Sequence, residues 1–208
     1  MRLLDLFCGA GGAAMGYYQA GFDEIVGVDN QPQPNYPFTF IQADALTPPV
    51  DLDDFDLIHA SPPCQAFTVY KNRHGHVRSD HPNLIPATLA LLQGHAWVIE
   101  NVRGAPMEAP IQLCGTAFGL EVRRHRLFES SYPMMAPPCY HGRFIERKYP
   151  GSTDRPNGRT VANIGEYRVP LAQQKIAMQI DWMTLPELSE AIPPAYTKFI
   201  GEQFLAQQ

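Results

Sequence analysis

Arg2-Leu-Leu-Asp-Leu-Phe-Cys-Gly-Ala-Gly-Gly12 decides the fold. A short apolar run breaks into a glycine-rich turn, after which Ala13, Ala14, Met15 and Tyr17 favour a helix up to Gly21. Strand, glycine turn and helix in that order make the first unit of an open parallel sheet. Further strands read at residues 24–29, 38–42, 56–60 and 96–99. Asp29, Asp44, Ser61 and Glu100 fall at or just past their carboxyl ends, the edge where such sheets bind ligands. The pattern predicts a doubly wound α/β sheet. Pro32, Pro34 and Pro37 leave little room for a helix between the second and third strands, so a short turn is expected there. Helices are expected over 83–93, 171–180, 184–191 and 195–206, and a short strand at Leu127-Phe128. Residues 131–170, rich in Pro, Gly, Tyr and Arg, read as an irregular insertion.

Composition narrows the class. With 208 residues, 45% hydrophobic and 18% charged, the chain suits one globular domain with a real core and not a disordered one. No run of eighteen apolar residues occurs, and the stretch from Leu3 to Phe7 is too short for a signal-peptide core, so a cytosolic protein without membrane association is expected. Cys8, Cys64, Cys114 and Cys139 are too sparse for a disulfide scaffold and read as reduced thiols. The net charge of -5 is unevenly spread: residues 1–63 hold nine acids and one base, residues 64–175 fourteen bases and eight acids. A polyanion is attracted to the middle of the chain, although such charges also simply solvate a surface.

Two segments carry chemistry. Gly9, Gly11 and Gly12 let backbone approach a ligand, and Asp29 at the next strand end can accept both hydroxyls of a ribose. The spacing is not G-x-G-x-x-G and no base is placed to hold a pyrophosphate, so S-adenosylmethionine, whose sulfonium suits this acidic third, fits better than NAD. Phe7 can stack on the adenine and Asp44 can accept from its amine. In Ser61-Pro-Pro-Cys-Gln65 two prolines fix an extended turn and aim Cys64 at the ligand edge. Lys71, Arg73 and Arg78 follow and are expected to lower its pKa, where a lone cysteine is otherwise most simply a buried thiol.

Taken together, residues 5–12, Ser61-Pro-Pro-Cys-Gln-Ala-Phe67, Glu100-Asn-Val102 and Arg124-His-Arg126 resemble, in this order, the motifs of the C5-cytosine DNA methyltransferases. Amino-group methyltransferases carry an aromatic residue after the two prolines, where this chain has Cys64. The resemblance implies a Rossmann-like methyltransferase sheet, with 1–130 as the S-adenosylmethionine-binding catalytic part, 131–170 as a much reduced target-recognition insertion and 171–208 as closing helices. It implies Cys64 as nucleophile, Glu100 as acid, Arg126 on the cytosine O2 and Arg124 supporting the loops. Cofactor contacts are implied for Asp5, Phe7, Gly9, Gly11, Gly12, Asp29, Asn30, Asp44, Pro62, Glu190 and Ala191. Substrate contacts are implied for Ser61, Gln65, Thr68, Lys71, Arg73 and Asn101, with DNA as partner and a monomer as the working unit.

Departures from that pattern are Val122 in place of a Gln, Glu190 in place of an Asn beside the cofactor, and Asn30 in place of a bulky residue over the adenine. Ile192-Pro-Pro-Ala-Tyr-Thr-Lys-Phe-Ile-Gly201 still matches the last cofactor motif, and the chain is most similar to compact phage and prophage versions. The same chemistry on RNA, on a nucleotide or with a modified cofactor, and a catalytically silent DNA-binding homologue, are the alternatives. No metal is expected: His74, His76 and His81 lie in a basic loop, Cys139-Tyr-His141 offers two ligands, and Cys8 and Cys114 read as structural thiols.

Overall fold

The computed structural model describes residues 1–65, 67, 82–141, 144–146, 159–161, 164–165 and 169–208, with backbone alone at 144–146 and 159–161. Its main sheet is built from β1 (Arg2–Leu6), β2 (Glu24–Asp29), β3 (Thr39–Gln42), β4 (Leu57–Ala60), β5 (Trp97–Asn101), β6 (Ile111–Leu113) and β7 (Arg126–Ser130). The order is β3-β2-β1-β4-β5-β7-β6. The first five strands run parallel, and β7 and β6 close the sheet antiparallel. The chain moves outward from β1 to β3, then crosses back to β4 and β5. The switch point therefore lies between β1 and β4, where the ends of adjacent strands diverge and leave a crevice.

Helices α1 (Gly12–Ala20), α2 (Ile85–Leu91), α3 (Leu171–Met178), α4 (Leu185–Glu190) and α5 (Pro194–Leu205) complete the fold. Side chains alternate across the pleat, so each strand feeds two cores. Leu3, Ile25, Leu57 and Val98 join Tyr17, Phe22, Tyr196, Ile200 and Phe204 on one face. Leu4, Val26, Ile58 and Ile99 join Leu92 and Ala45 on the other. On the first face Asp5, Gly27 and His59 stand side by side in register. A Cβ on Gly27 would lie 2.3 Å from the Tyr36 ring, so that ring occupies the space a side chain would need.

The expected doubly wound sheet is present as a mixed α/β sheet with flanking helices. No helix connects β2 to β3, as the prolines require. The boundaries differ in two places that matter. Residues 96–99 were expected to end before Glu100, yet pairing with antiparallel β7 extends β5 through Asn101. The insertion expected to be irregular holds a parallel pair, β8 (Phe144–Glu146) and β9 (Arg159–Val161). Strand β6, three residues long, was not read at all. Among the described residues no helix is long and apolar enough to cross a membrane.

Candidate active site

The site begins at the carboxyl end of β1. Phe7 sits at φ 56, a left-handed conformation that costs a non-glycine residue about 1 kcal/mol and persists only when its surroundings fix it. Gly9 and Gly11 continue the turn at φ 48 and 79. A Cβ on Gly9 would meet nothing within 4 Å, whereas one on Gly12 would lie 2.4 Å from the Ile192 carbonyl. The turn is thus open on its ligand side and clamped behind by the segment entering α5. Trp182, invisible to sequence reasoning, donates its indole N–H to the Ala10 carbonyl at 2.8 Å and holds the turn from a third side.

Asp29 ends β2 and accepts from the Gly9 amide at 3.0 Å and the Gln31 amide at 2.9 Å, one on each carboxylate oxygen. Each oxygen keeps a further lone pair, so the carboxylate can still take ribose hydroxyls. Asn30 and Asp44 are exposed along the same edge, and Asp44 accepts from the Leu46 amide at 2.9 Å. Asp5 is placed differently: it is 1% exposed, takes the Tyr36 hydroxyl at 3.3 Å, and burial holds its pKa well above the carboxylate range. Its contact with any ligand runs through the turn above it. This donor set, an open glycine turn with the Asp29 and Asp44 carboxylates along its edge, fits a cationic nucleoside such as S-adenosylmethionine.

Across the switch point, β4 delivers Ser61, Pro62 and Cys64. Pro62 is buried, and its carbonyl accepts from the Asn101 amide at 2.9 Å while the Asn101 oxygen takes the Val102 N–H at 2.9 Å. Asn101 therefore fixes the turn that carries the thiol. Cys64 is half-buried, and its pKa is raised from 9.0 first by burial, then by Glu100, with Arg126 opposing and Glu190 adding to the rise. The expected lowering by Lys71, Arg73 and Arg78 falls, with Thr68, outside the described residues. Within them, the thiol is pushed toward its protonated form.

Glu100, 6% exposed, meets the Arg126 guanidinium at 2.8 Å. Burial raises its pKa from 4.5, and Arg126, Arg124 and a hydrogen bond from Ser61 only partly offset that. Arg124 donates to the carbonyls of Ala191 at 2.8 Å and Ser189 at 2.6 Å, and Tyr196 donates to the Arg124 carbonyl at 2.6 Å. Burial pulls Arg124 down to about 9, which leaves it cationic at neutral pH. It grips the chain on both sides of Glu190. Val122 is buried in the core, so no active-site hydrogen bond replaces the one its position was expected to lack.

Behind Glu100 lies a polar chain that no motif announced. The Tyr17 hydroxyl meets His59 Nδ1 at 3.1 Å, and His59 Nε2 meets Ser61 Oγ at 2.9 Å. Burial lowers the His59 pKa to about 3, so the ring is neutral. A neutral imidazole relays one direction: Tyr17 donates to Nδ1, Nε2–H donates to Ser61, and Ser61 donates to Glu100. The depressed pKa makes the folded state reject a proton that the unfolded chain accepts below its ordinary 6.5. Stability from His59 is therefore complete above 6.5 and is lost as pH falls toward 3. Urea titrations at pH 7 and pH 5 should show a loss of about 2 kcal/mol in the wild type that His59→Gln does not share. Equal losses in both proteins would assign the acid sensitivity elsewhere.

The structure also corrects the two-ligand count at Cys139-Tyr-His141. Cys114 and His125 come to it, and the four ligand atoms lie within 4.8 Å of one another.

Comparison with known proteins places the chain among relatives. Type II methyltransferase M.HgiDI of Herpetosiphon aurantiacus is 33% identical over 117 residues, covering 50% of this chain and 38% of that protein. M.HgiGI of the same organism is 31% identical over 117 residues, covering 50% of this chain and 93% of its own. M.AquIA of Picosynechococcus is 30% identical over 124 residues, covering 50% of this chain and 49% of its own. The chain thus spans less than half of the first and third of these relatives. The family model described as C-5 cytosine-specific DNA methylase matches residues 1–107, which hold the glycine turn, the Pro-Pro-Cys turn and Glu100. A match over residues 1–107, half of the chain, makes this protein a member of the C-5 cytosine-specific DNA methylase family.

Proposed function

We propose that the protein transfers a methyl group from S-adenosylmethionine to carbon 5 of cytosine in DNA. The observation that carries this reading is the convergence of Cys64, Glu100 and Arg126 beside an open glycine turn at the switch point. Phe7, Gly9, Gly11, Gly12, Asp29, Asn30 and Asp44 would hold the cofactor, with Asp5 supporting the turn beneath and Pro62, Glu190 and Ala191 facing the methionine end. Bound there, the cofactor supplies an electrophilic methyl on a cationic sulfonium.

Carbon 5 of cytosine is a weak nucleophile until the ring is activated. Cys64 Sγ adds to carbon 6 while Glu100 gives a proton to N3, and the ring electrons gather at carbon 5. Arg126 holds the O2 oxygen and keeps Glu100 in place. After methylation solvent takes the proton from carbon 5, the freed electron pair restores the 5,6 double bond and expels the Cys64 thiolate, and the N3 proton returns to Glu100. None of these atoms is reachable inside a duplex, so the base is flipped out, with Ser61, Gln65, Thr68, Lys71 and Arg73 as its contacts and the fully buried Asn101 acting through the turn it braces. Residues 131–170 form the reduced target-recognition part, where Arg143, Arg147, Lys148, Arg155 and Arg159 meet phosphates and few base edges are read. The protein works as a monomer in the cytoplasm, and its compact plan suits modification of phage DNA.

Incubation with labelled S-adenosylmethionine and duplex DNA, followed by mass analysis of nucleosides, should give 5-methylcytosine. A 5-fluorocytosine oligonucleotide, which has no proton to lose at carbon 5, should remain bound covalently at Cys64. Methyl found on a ring nitrogen or on the exocyclic amine, or found only in RNA, would replace this reading with a different one.

A further inference from the structure

The geometry points to a structural zinc site, separate from the methyl-transfer chemistry, formed by Cys114, His125, Cys139 and His141. Cys114 directly follows β6 and His125 directly precedes β7, and the register Leu113↔Arg126 places these two residues opposite each other where the hairpin ladder ends. Cys139 and His141 enter from the chain that leads toward β8. The Cys114 sulfur lies 3.3 Å from His141 Nε2, and the Cys139 sulfur 3.7 Å from His125 Nε2.

Those separations are the ones a tetrahedral ion imposes. Zinc–sulfur and zinc–nitrogen bonds of ordinary length place the ligand atoms roughly 3.3 to 3.8 Å apart. All four atoms already lie within 4.8 Å, so shifts of about an ångström close the tetrahedron. The set has two sulfurs and two imidazoles, a borderline-soft donor group that suits zinc over the oxygen-seeking calcium or magnesium. Four protein ligands leave no open position, which marks a structural ion and not a catalytic one.

Two outer contacts suit the metal-bound form of the sulfurs. Thr116 Oγ1 lies 3.2 Å from the Cys114 sulfur and Gln112 Nε2 4.0 Å from that of Cys139, so both sulfurs can accept when they are thiolates. As a thiol, Cys114 donates to the Arg123 carbonyl at 3.0 Å, a contact that binding would exchange for the metal. The His125 and His141 rings meet edge to face with centroids 4.9 Å apart. On binding, each thiol sulfur bonds the ion and releases its proton, and the two thiolates neutralise the charge of one zinc.

The site's position gives it a consequence. His125 stands between Arg124, which holds the carbonyls around Glu190, and Arg126, which holds Glu100. An ion at His125 would fasten that segment to the end of β6 and to the first residues of the insertion, so a short connection would hold its place without a large domain to brace it.

The full-length protein, loaded with zinc chloride under reducing conditions and desalted, should retain about one zinc per chain by elemental analysis. Cobalt should give the intense visible bands of a tetrahedral thiolate-ligated ion. Cys139→Ala and His141→Ala should each lose the metal, while Cys64→Ala should keep it, which separates this site from the nucleophile whatever the activity proves to be. Far-UV circular dichroism of each variant shows whether it is folded, and the wild-type metal content and cobalt spectrum stand without any variant. Trace zinc in the loaded wild type, a Cys114–Cys139 disulfide in its place, or full zinc in the Cys139→Ala/His141→Ala double variant would each overturn the proposal.

Discussion

Cys64→Ala is expected to lower methyl transfer at least about a thousandfold, because a covalent nucleophile acts as a unit with its partners and cannot be compensated by them. Everything around this sulfur serves to aim it. Asn101 holds the Pro62 carbonyl, the prolines stiffen the turn, and Arg126 and Glu100 bracket the thiol electrostatically. Alanine removes the sulfur and leaves that frame intact, so binding of DNA and of the cofactor should survive while chemistry stops. Initial rates with labelled cofactor, alongside DNA affinity by gel shift, test both halves. A variant that keeps a tenth of the wild-type rate would mean that the methyl reaches its acceptor without attack by this residue. Cys64→Ser should be nearly as slow, since a hydroxyl in the same half-buried position ionises far less readily than a thiol.

The difference between what the sequence revealed and what it hid follows from distance along the chain. Cys64 and Glu100 were legible because each lies in a compact segment whose chemistry is local: two prolines before a thiol, an acid and an amide at a strand end. The sheet was legible for the same reason, since β1, β2 and β4 each carry their own apolar run. Strand β6 is too short for any periodicity to register. Glu100 was placed beyond its strand because only the antiparallel partner β7, from a later stretch, extends the ladder through Asn101. Tyr17 and His59 meet across 42 positions and Trp182 and Ala10 across 172, so neither contact leaves a local pattern. The same holds for Cys114, His125, Cys139 and His141. Their ten-, thirteen- and one-residue separations resemble no short ligand motif: the β6–β7 hairpin brings Cys114 to His125, and the chain after β7 returns to bring Cys139 and His141.

Glu100→Gln is expected to cost about 10²- to 10⁴-fold in rate and, more tellingly, to change how the rate depends on pH. Glutamine keeps the shape of the side chain, and its oxygen can still accept from Arg126. Its amide can donate a hydrogen bond to N3 as a protonated acid does, but it has no proton to give. Substrate binding should therefore persist with KM nearly unchanged while kcat falls. In the wild type the reaction needs Cys64 without its proton and Glu100 with one. Burial raises both groups, and wherever Glu100 is mostly ionised while Cys64 is mostly protonated, raising the pH gains thiolate as fast as it loses acid. The product of the two populations stays constant there, and kcat/KM should be level over that range. Removing the acid leaves only the thiolate requirement, so kcat/KM of Glu100→Gln should climb about tenfold per pH unit until Cys64 ionises, which loss of the Glu100 charge makes easier. A level profile in both proteins would show that Glu100 takes no part in the proton balance. A climbing profile in both would show that Cys64 ionises alone and that another group, from the basic loop after Pro62, protonates the base.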